Sequence, residues 1–143
     1  MPGPYVFKAD PYSSHSLLLG KLAGAPSGSR VLDLGCGQGH LAARLAAQGL
    51  ELVGVERAGG FQPPGPAGVR MVEGDLDAGI PDVGGGFDFI LCADILEHLR
   101  EPGRLLAAAR PLLKPGGLLL ASLPNSGNLY FRLTVLSGRF PRH

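Results

Sequence analysis

Val31-Leu32-Asp33-Leu34-Gly35-Cys36-Gly37-Gln38-Gly39-His40-Leu41 decides how the rest of the chain is read. An apolar run carrying one acid passes into three glycines at alternate positions, and a helix-like segment, His40 to Gln48, follows at once. A turn this tight needs residues without a Cβ, which reach positive φ and let backbone come close to a ligand. It also directs the first free amides of a helix into the crevice above it. The stretch therefore reads as a buried strand, a cofactor-binding turn and the start of a helix.

Upstream, residues 1–11 hold three prolines and read as an irregular arm. Tyr12 to Ala23 is expected as a helix capped by Ser13 or Ser14, with a narrow apolar face of Leu18, Leu19 and Leu22. Gly24 to Ser29 ends it. Arg30–Leu34 is apolar apart from Asp33, as suits a strand covered on both faces. Beyond the turn the helix should bury Leu41, Ala42, Leu45 and Ala46 and stop at Gly49.

Downstream, Glu51–Val55 is a second strand ending at Glu56. Arg57 to Gly68 contains Gly59, Gly60, Pro63, Pro64, Gly65 and Pro66, so no regular helix is expected there. Val69–Val72 is a third strand, followed by Glu73-Gly74-Asp75-Leu76-Asp77, and the glycines at 84–86 form a turn before a fourth strand, Phe87–Ala93. Pro102 opens a helix at a position where proline is favoured. Its expected face is Leu105, Leu106, Ala109, Leu112 and Leu113, with Lys114-Pro115-Gly116-Gly117 as its stop. Leu118–Ser122 is a fifth strand, Pro124-Asn125 breaks the chain, and Asn128 to Leu136 reads as one more helix.

The totals narrow the class. At 143 residues the chain is one domain with room for a core. A formal net charge of +1 without a basic run gives no electrostatic footprint for nucleic acid. Cys36 and Cys92 show no metal or framework spacing and read as reduced thiols of a cytoplasmic protein. No apolar run approaches the ~20 residues that span a bilayer, and Met1 to Asp10 lacks a basic-then-apolar leader pattern. No internal repeat is present.

Strands alternating with helices or crossover loops imply a parallel sheet with helices on both faces. Ligands of such sheets bind outside the carboxyl ends of the strands, where strand order reverses. Asp33 and Gly35, Glu56, Asp75, and Cys92 to Asp94 all fall at such ends. The glycines at 35, 37 and 39 do not have the spacing of a dinucleotide site, and an acid two residues before the first glycine would repel a pyrophosphate. It suits a cationic ligand, which S-adenosylmethionine is, with a sulfonium, an ammonium and no phosphate. A nicotinamide-dependent oxidoreductase is disfavoured on the same grounds.

Val31–Gly39 resembles the first motif of the Rossmann-like (class I) S-adenosylmethionine-dependent methyltransferases. The similarity continues through Gly54-Val55-Glu56, Glu73-Gly74-Asp75, Phe87-Asp88-Phe89-Ile90, Asp94 to Leu99 and Leu113 to Gly117, in family order, over about residues 12–140. It is strongest to the small-molecule branch that includes ubiquinone-biosynthesis methyltransferases and the methionine-biosynthesis protein family. The resemblance implies an α/β, doubly wound sheet of about five parallel strands in the order 3-2-1-4-5 within residues 12–143. The family's last two strands, an antiparallel hairpin, find no sequence before His143, so a C-terminally truncated domain is expected, with strand five an apolar edge; three outcomes stay open, a fragment, an edge covered by a second copy of a homodimer, or a degenerate relative.

The same resemblance implies roles for single residues. The backbone of Gly35, Cys36, Gly37 and Gly39 packs against the methionine moiety of S-adenosylmethionine, and Asp33 orients its amino end. Glu56 takes both ribose hydroxyls, as a carboxylate does well. Asp75, rather than Asp77, accepts from the adenine amino group, with Leu76 against the ring. Cys92 and Ala93 line the cleft beside the transferable methyl.

Methyl transfer from a sulfonium is an in-line displacement from an already activated donor, so the protein supplies mainly proximity and alignment. His98 is the candidate base for a hydroxyl or amine acceptor. No metal is assigned: Asp94, Glu97 and His98, three and four residues apart, would share a face on a helical turn and are the candidates should one bind, as in some relatives with an acid-x-x-Glu-His cluster, but Glu-His also occurs in family members that need no metal. His15, His40 and His143 have no assigned partners. The expected activity is transfer of a methyl group to a small-molecule acceptor. The rival is a catalytically silent module that binds the cofactor and acts through protein interaction.

Overall fold

A computed structural model describes residues 10–124. Most of the irregular arm, the helix expected over Asn128–Leu136 and His143 lie outside the described residues. The elements in order are α1 (Ser14–Leu22), β1 (Arg30–Leu34), α2 (His40–Ala47), β2 (Glu51–Glu56), β3 (Val69–Glu73), β4 (Phe87–Ala93), α3 (Pro102–Ala109) and β5 (Leu113–Ser122). Five strands form one sheet in the order β3-β2-β1-β4-β5, every neighbouring pair parallel. The expected doubly wound order is therefore the observed one.

β1 is central because its side chains can be covered from both sides. Val31, Leu32 and Leu34 are wholly buried. Alternation along a strand sends neighbours to opposite faces. Leu32 and Leu34 pack with Val53, Phe87, Ile90 and, from α3, Leu105. Val31 packs with Leu18 and Leu22 of α1 and Leu41 and Leu45 of α2. Two apolar layers thus clamp the sheet, α1 and α2 on one face and α3 on the other. Ser13 caps α1 by accepting from the Ser16 N–H at 3.2 Å.

Two differences from expectation have physical causes. α3 stops at Ala109 and passes into a 3-10 turn, Arg110–Leu112, since Pro111 lacks the N–H that another α-helical turn requires. Leu112 and Leu113 keep the apolar spacing of the helix but not its backbone. β5 then begins at Leu113 rather than Leu118, and Lys114-Pro115-Gly116-Gly117 lies inside it as an irregularity, with Leu113 opposite Phe87 and Leu118 already opposite Phe89. Lys114 holds this segment to β4 through both carboxylate oxygens of Asp88, at 2.9 and 2.8 Å.

Between β2 and β3 the glycine- and proline-rich segment forms no helix, as expected, and lies against the glycine turn, where Gln38 Nε2 donates to the Gly60 carbonyl at 3.0 Å. β5 is the sheet's edge among the described residues, and Leu118 on it is 55% exposed. No helix among the described residues is long and apolar enough to cross a membrane.

Candidate active site

The carboxyl ends of β1 to β4 open into one cavity of about 550 Å³, within the range of small-molecule sites. Its floor is the glycine turn. Gly35 has φ 76°, and a Cβ there would sit 2.6 Å from Ile95 Cγ1, so only glycine lets the turn pass under the end of β4. The N–H groups of Gly35 and Cys36 both donate to the Val55 carbonyl, at 2.9 and 3.2 Å, which fixes the turn to β2.

Five carboxyl side chains line the cavity, Asp33, Glu56, Asp75, Asp77 and Asp94, and the first two interact through space. Asp33 is 1% exposed, and its Oδ1 has no hydrogen-bond partner among the described residues. Burial first, and the nearby Glu56 second, push its carboxyl up from 3.8 to about 7. Glu56 is tied at both oxygens: Oε2 accepts from the Gly37 N–H at 2.8 Å and Oε1 from the Arg57 N–H at 3.0 Å. Each carboxylate oxygen has a second lone pair, so further acceptance stays open.

On the β3 side, Asp75, Leu76 and Asp77 all line the cavity. Asp75 Oδ1 accepts from the Asp77 N–H at 3.0 Å, and Asp77 Oδ1 accepts from the Arg100 N–H at 2.9 Å. Asp77 thus joins the loop to the start of the α3 segment. On the β4 side, Ala93 lines the cavity, but Cys92 does not. Strand alternation puts the Cys92 side chain, wholly buried, with Ile90 in the α3-side core, which Phe87 joins from beyond the irregularity at Phe87–Phe89, and burial holds the Cys92 thiol high. The expectation that Cys92 faces the cleft is corrected accordingly. Cys36 does line the cavity, with its Sγ 3.9 Å from Met71 Sδ, and burial, Asp33 and Glu56 keep its thiol protonated. Gly39 lies behind the lining, against Pro66.

The helical face expected for Asp94, Glu97 and His98 is not formed. Asp94 has φ 51° and stands outside the 3-10 turn Leu96–His98. Its Oδ2 accepts from Ser14 Oγ and its Oδ1 from Ser122 Oγ, both at 2.7 Å, so this carboxylate joins α1, β4 and β5. Among the described residues no group of three His, Cys, Asp or Glu side chains is close enough to hold a metal ion. His98 lines the cavity with a side chain 63% exposed and its Nε2 4.0 Å from Glu97 Oε1.

The sequence reading missed His15, Leu41, Ile95 and Leu99 as lining residues. His15, 5% exposed, was legible: it lies three and seven residues before Leu18 and Leu22, on the face of α1 that packs inward.

Residues 12–141 match the methyltransferase domain family, and the chain belongs to it. It is 38% identical over 126 residues to a ubiquinone biosynthesis O-methyltransferase of Xanthomonas axonopodis pv. citri, covering 80% of this chain and 51% of the relative. A ubiquinone biosynthesis O-methyltransferase of Dinoroseobacter shibae is 31% identical over 119 residues, covering 79% and 48%. The chain therefore spans about half the length of these curated relatives. Among solved structures, a TehB-like SAM-dependent methyltransferase from Corynebacterium glutamicum superposes with a TM-score of 0.61 at 26% identity, covering 77% of this chain and 61% of that one.

Proposed function

We propose that the domain binds S-adenosylmethionine in this cavity and transfers its methyl group to a small-molecule acceptor. The observation that carries the reading is Asp33, a buried carboxyl with an unpartnered oxygen at the end of the central strand, paired in field with Glu56. Five acids lining one cavity, these two among them, favour a cation and oppose a pyrophosphate. The relatives' methyltransferase activity supports the same reading.

The residues present fit the cofactor. Asp33 Oδ1 is the acceptor for its ammonium, Glu56 for the ribose hydroxyls and Asp75 for the adenine amino group, with Leu76 as apolar cover. When bound, the cofactor supplies a methyl group on a sulfonium, already activated for displacement. The glycine turn, held to Val55 and Glu56, fixes the donor end, which is the proximity contribution. Ala93 leaves space at the end of β4 for an acceptor. His98, across the cavity on the turn after β4, accepts the acceptor's proton if the nucleophile is a hydroxyl or amine.

Calorimetry with S-adenosylhomocysteine on the wild type and on Glu56→Ala tests the reading. Micromolar binding by the wild type, weakened at least tenfold by the substitution, is the expected result. No heat with the wild type would sink the proposal. Binding without turnover on any panel of phenolic and amine acceptors would favour a silent module.

A further inference from the structure

A second cavity, of about 320 Å³, opens between the loop after β3 and the first turns of α3. Leu76 and Leu105 form its apolar side, and Leu105 belongs to the buried core. Its charged groups are Asp77, Arg100, Glu101 and Arg104. The larger cavity, by contrast, has five carboxyls and a single arginine, Arg57, in its lining. Leu76 and Asp77 line both, so the loop after β3 is a common wall.

We propose that this second cavity is a binding site for a small organic carboxylate, its apolar body against Leu76 and Leu105 and its carboxylate held between Arg100 and Arg104. Among the described residues neither guanidinium has a hydrogen bond or an ion pair. The neighbouring acids leave both unpaired. Asp77 uses Oδ1 on the Arg100 backbone N–H at 2.9 Å, which pins Arg100 at the cavity's edge, and Glu101 makes no ion pair with either arginine. The Arg104 N–H donates to the Glu101 carbonyl at 3.0 Å, so the backbone of both arginines is fixed while both side-chain forks are open. Two like charges lining one small cavity repel, and an anion between them removes that repulsion. A guanidinium presents paired N–H groups that match the two oxygens of a carboxylate. Inorganic phosphate would satisfy the arginines but leave Leu76 and Leu105 uncovered, so the apolar side selects a ligand with a carbon body. That ligand would touch the same Leu76 that lines the larger cavity, yet its binding holds whatever the larger cavity takes.

The probe is benzoate, titrated into the whole chain to about 10 mM and followed by the amide NMR shifts of Gly79, Arg100 and Leu105. Benzamide, uncharged and of the same shape, and inorganic phosphate, charged and without an apolar body, are titrated alongside. Benzoate should move these amides saturably with a Kd of about 1 mM. Arg100→Gln and Arg104→Gln should each weaken it about two- to fivefold, the scale of an exposed ion pair. Both arginines are exposed, so the variants keep the fold, which unchanged dispersion of the remaining amides checks. Arg110→Gln, at an exposed arginine outside both cavities, should bind benzoate as the wild type does. Benzamide and phosphate should each bind at least about fivefold more weakly than benzoate. The site is overturned by no saturable shift at Gly79, Arg100 and Leu105, by an equal loss in Arg110→Gln, by phosphate or benzamide binding as tightly as benzoate, or by shifts confined to Gly35 and Gly37 of the larger cavity. Binding of S-adenosylhomocysteine is measured separately and stands or falls on its own.

Discussion

Gly37 donates its backbone N–H to Oε2 of Glu56 across 2.8 Å, so the turn after β1 and the end of β2 form one unit. A residue read from sequence as a ribose ligand is also a brace for the glycine turn. The two tasks are compatible because a carboxylate accepts up to about four hydrogen bonds. The same carboxylate raises Asp33 through space. Glu56→Gln should therefore do two things. It should weaken S-adenosylhomocysteine binding about tenfold, and it should lower the pH at which Asp33 titrates, read by carbon-detected NMR of the carboxyl. An unmoved Asp33 titration would show that burial alone sets it.

Asp33 makes the protein less stable as pH rises. Its folded carboxyl titrates at about 7 against an ordinary 3.8, so between those values the folded state holds more protons than the unfolded chain. Stability then falls from about pH 4 to about pH 7 and levels off above, the reverse of a salt-bridged acid. Asp33→Asn should remove this slope and raise stability at pH 8 by about 1–3 kcal/mol, less than the full linkage because an amide must still be buried. It should also abolish S-adenosylhomocysteine binding. Urea melts of both proteins at pH 5 and pH 8 check the sign: a wild type more stable at pH 8, relative to the variant, contradicts it.

Gly60 is a steric requirement of the site. A Cβ there would lie 2.3 Å from Glu56 Cγ, and Gln38 holds the same residue's carbonyl at 3.0 Å. Gly60→Ala must push the Glu56 side chain or the loop, at about 1–3 kcal/mol for overpacking. Cofactor affinity should drop about five- to twentyfold with little change in the far-ultraviolet circular dichroism. Retention of full affinity would mean that the loop yields instead of Glu56.

These effects trace back to what the sequence made legible. β1 and β4 were readable to the residue because each is a continuous apolar run between turn signals, and the strand-end acids at 33, 56 and 75 marked the cavity. The C-terminus of α3 was not, since the apolar spacing continues through Leu112 and Leu113 while Pro111 has already ended the helical bonding. Cys92 and Ala93 differ only by strand parity, which a short apolar run does not report. Asp94 reads as helical by spacing, yet its partners, Ser14 and Ser122, lie 80 and 28 residues away, and no local pattern contains them.

Asp94 is therefore a structural joint, and its substitutions should separate by hydrogen-bonding capacity. Its φ of 51° is tolerated by Asp and Asn but costs most other residues about 1–2 kcal/mol. Its two oxygens accept from Ser14 and Ser122, each bond to a charged acceptor being worth about 1.5–3 kcal/mol. Asp94→Asn keeps the backbone preference and one acceptor oxygen, so a loss of about 1–2 kcal/mol is expected. Asp94→Ala loses both bonds and the preference, so a loss of at least about 4 kcal/mol is expected, measured by urea denaturation. Ser14→Ala, which removes one bond and leaves the left-handed backbone alone, should fall near Asp94→Asn. It should also release the start of α1, seen as faster amide exchange at the first turn of that helix than at β4. If Ser14→Ala leaves that exchange unchanged, the Ser14–Asp94 bond is not what holds α1 over the cavity.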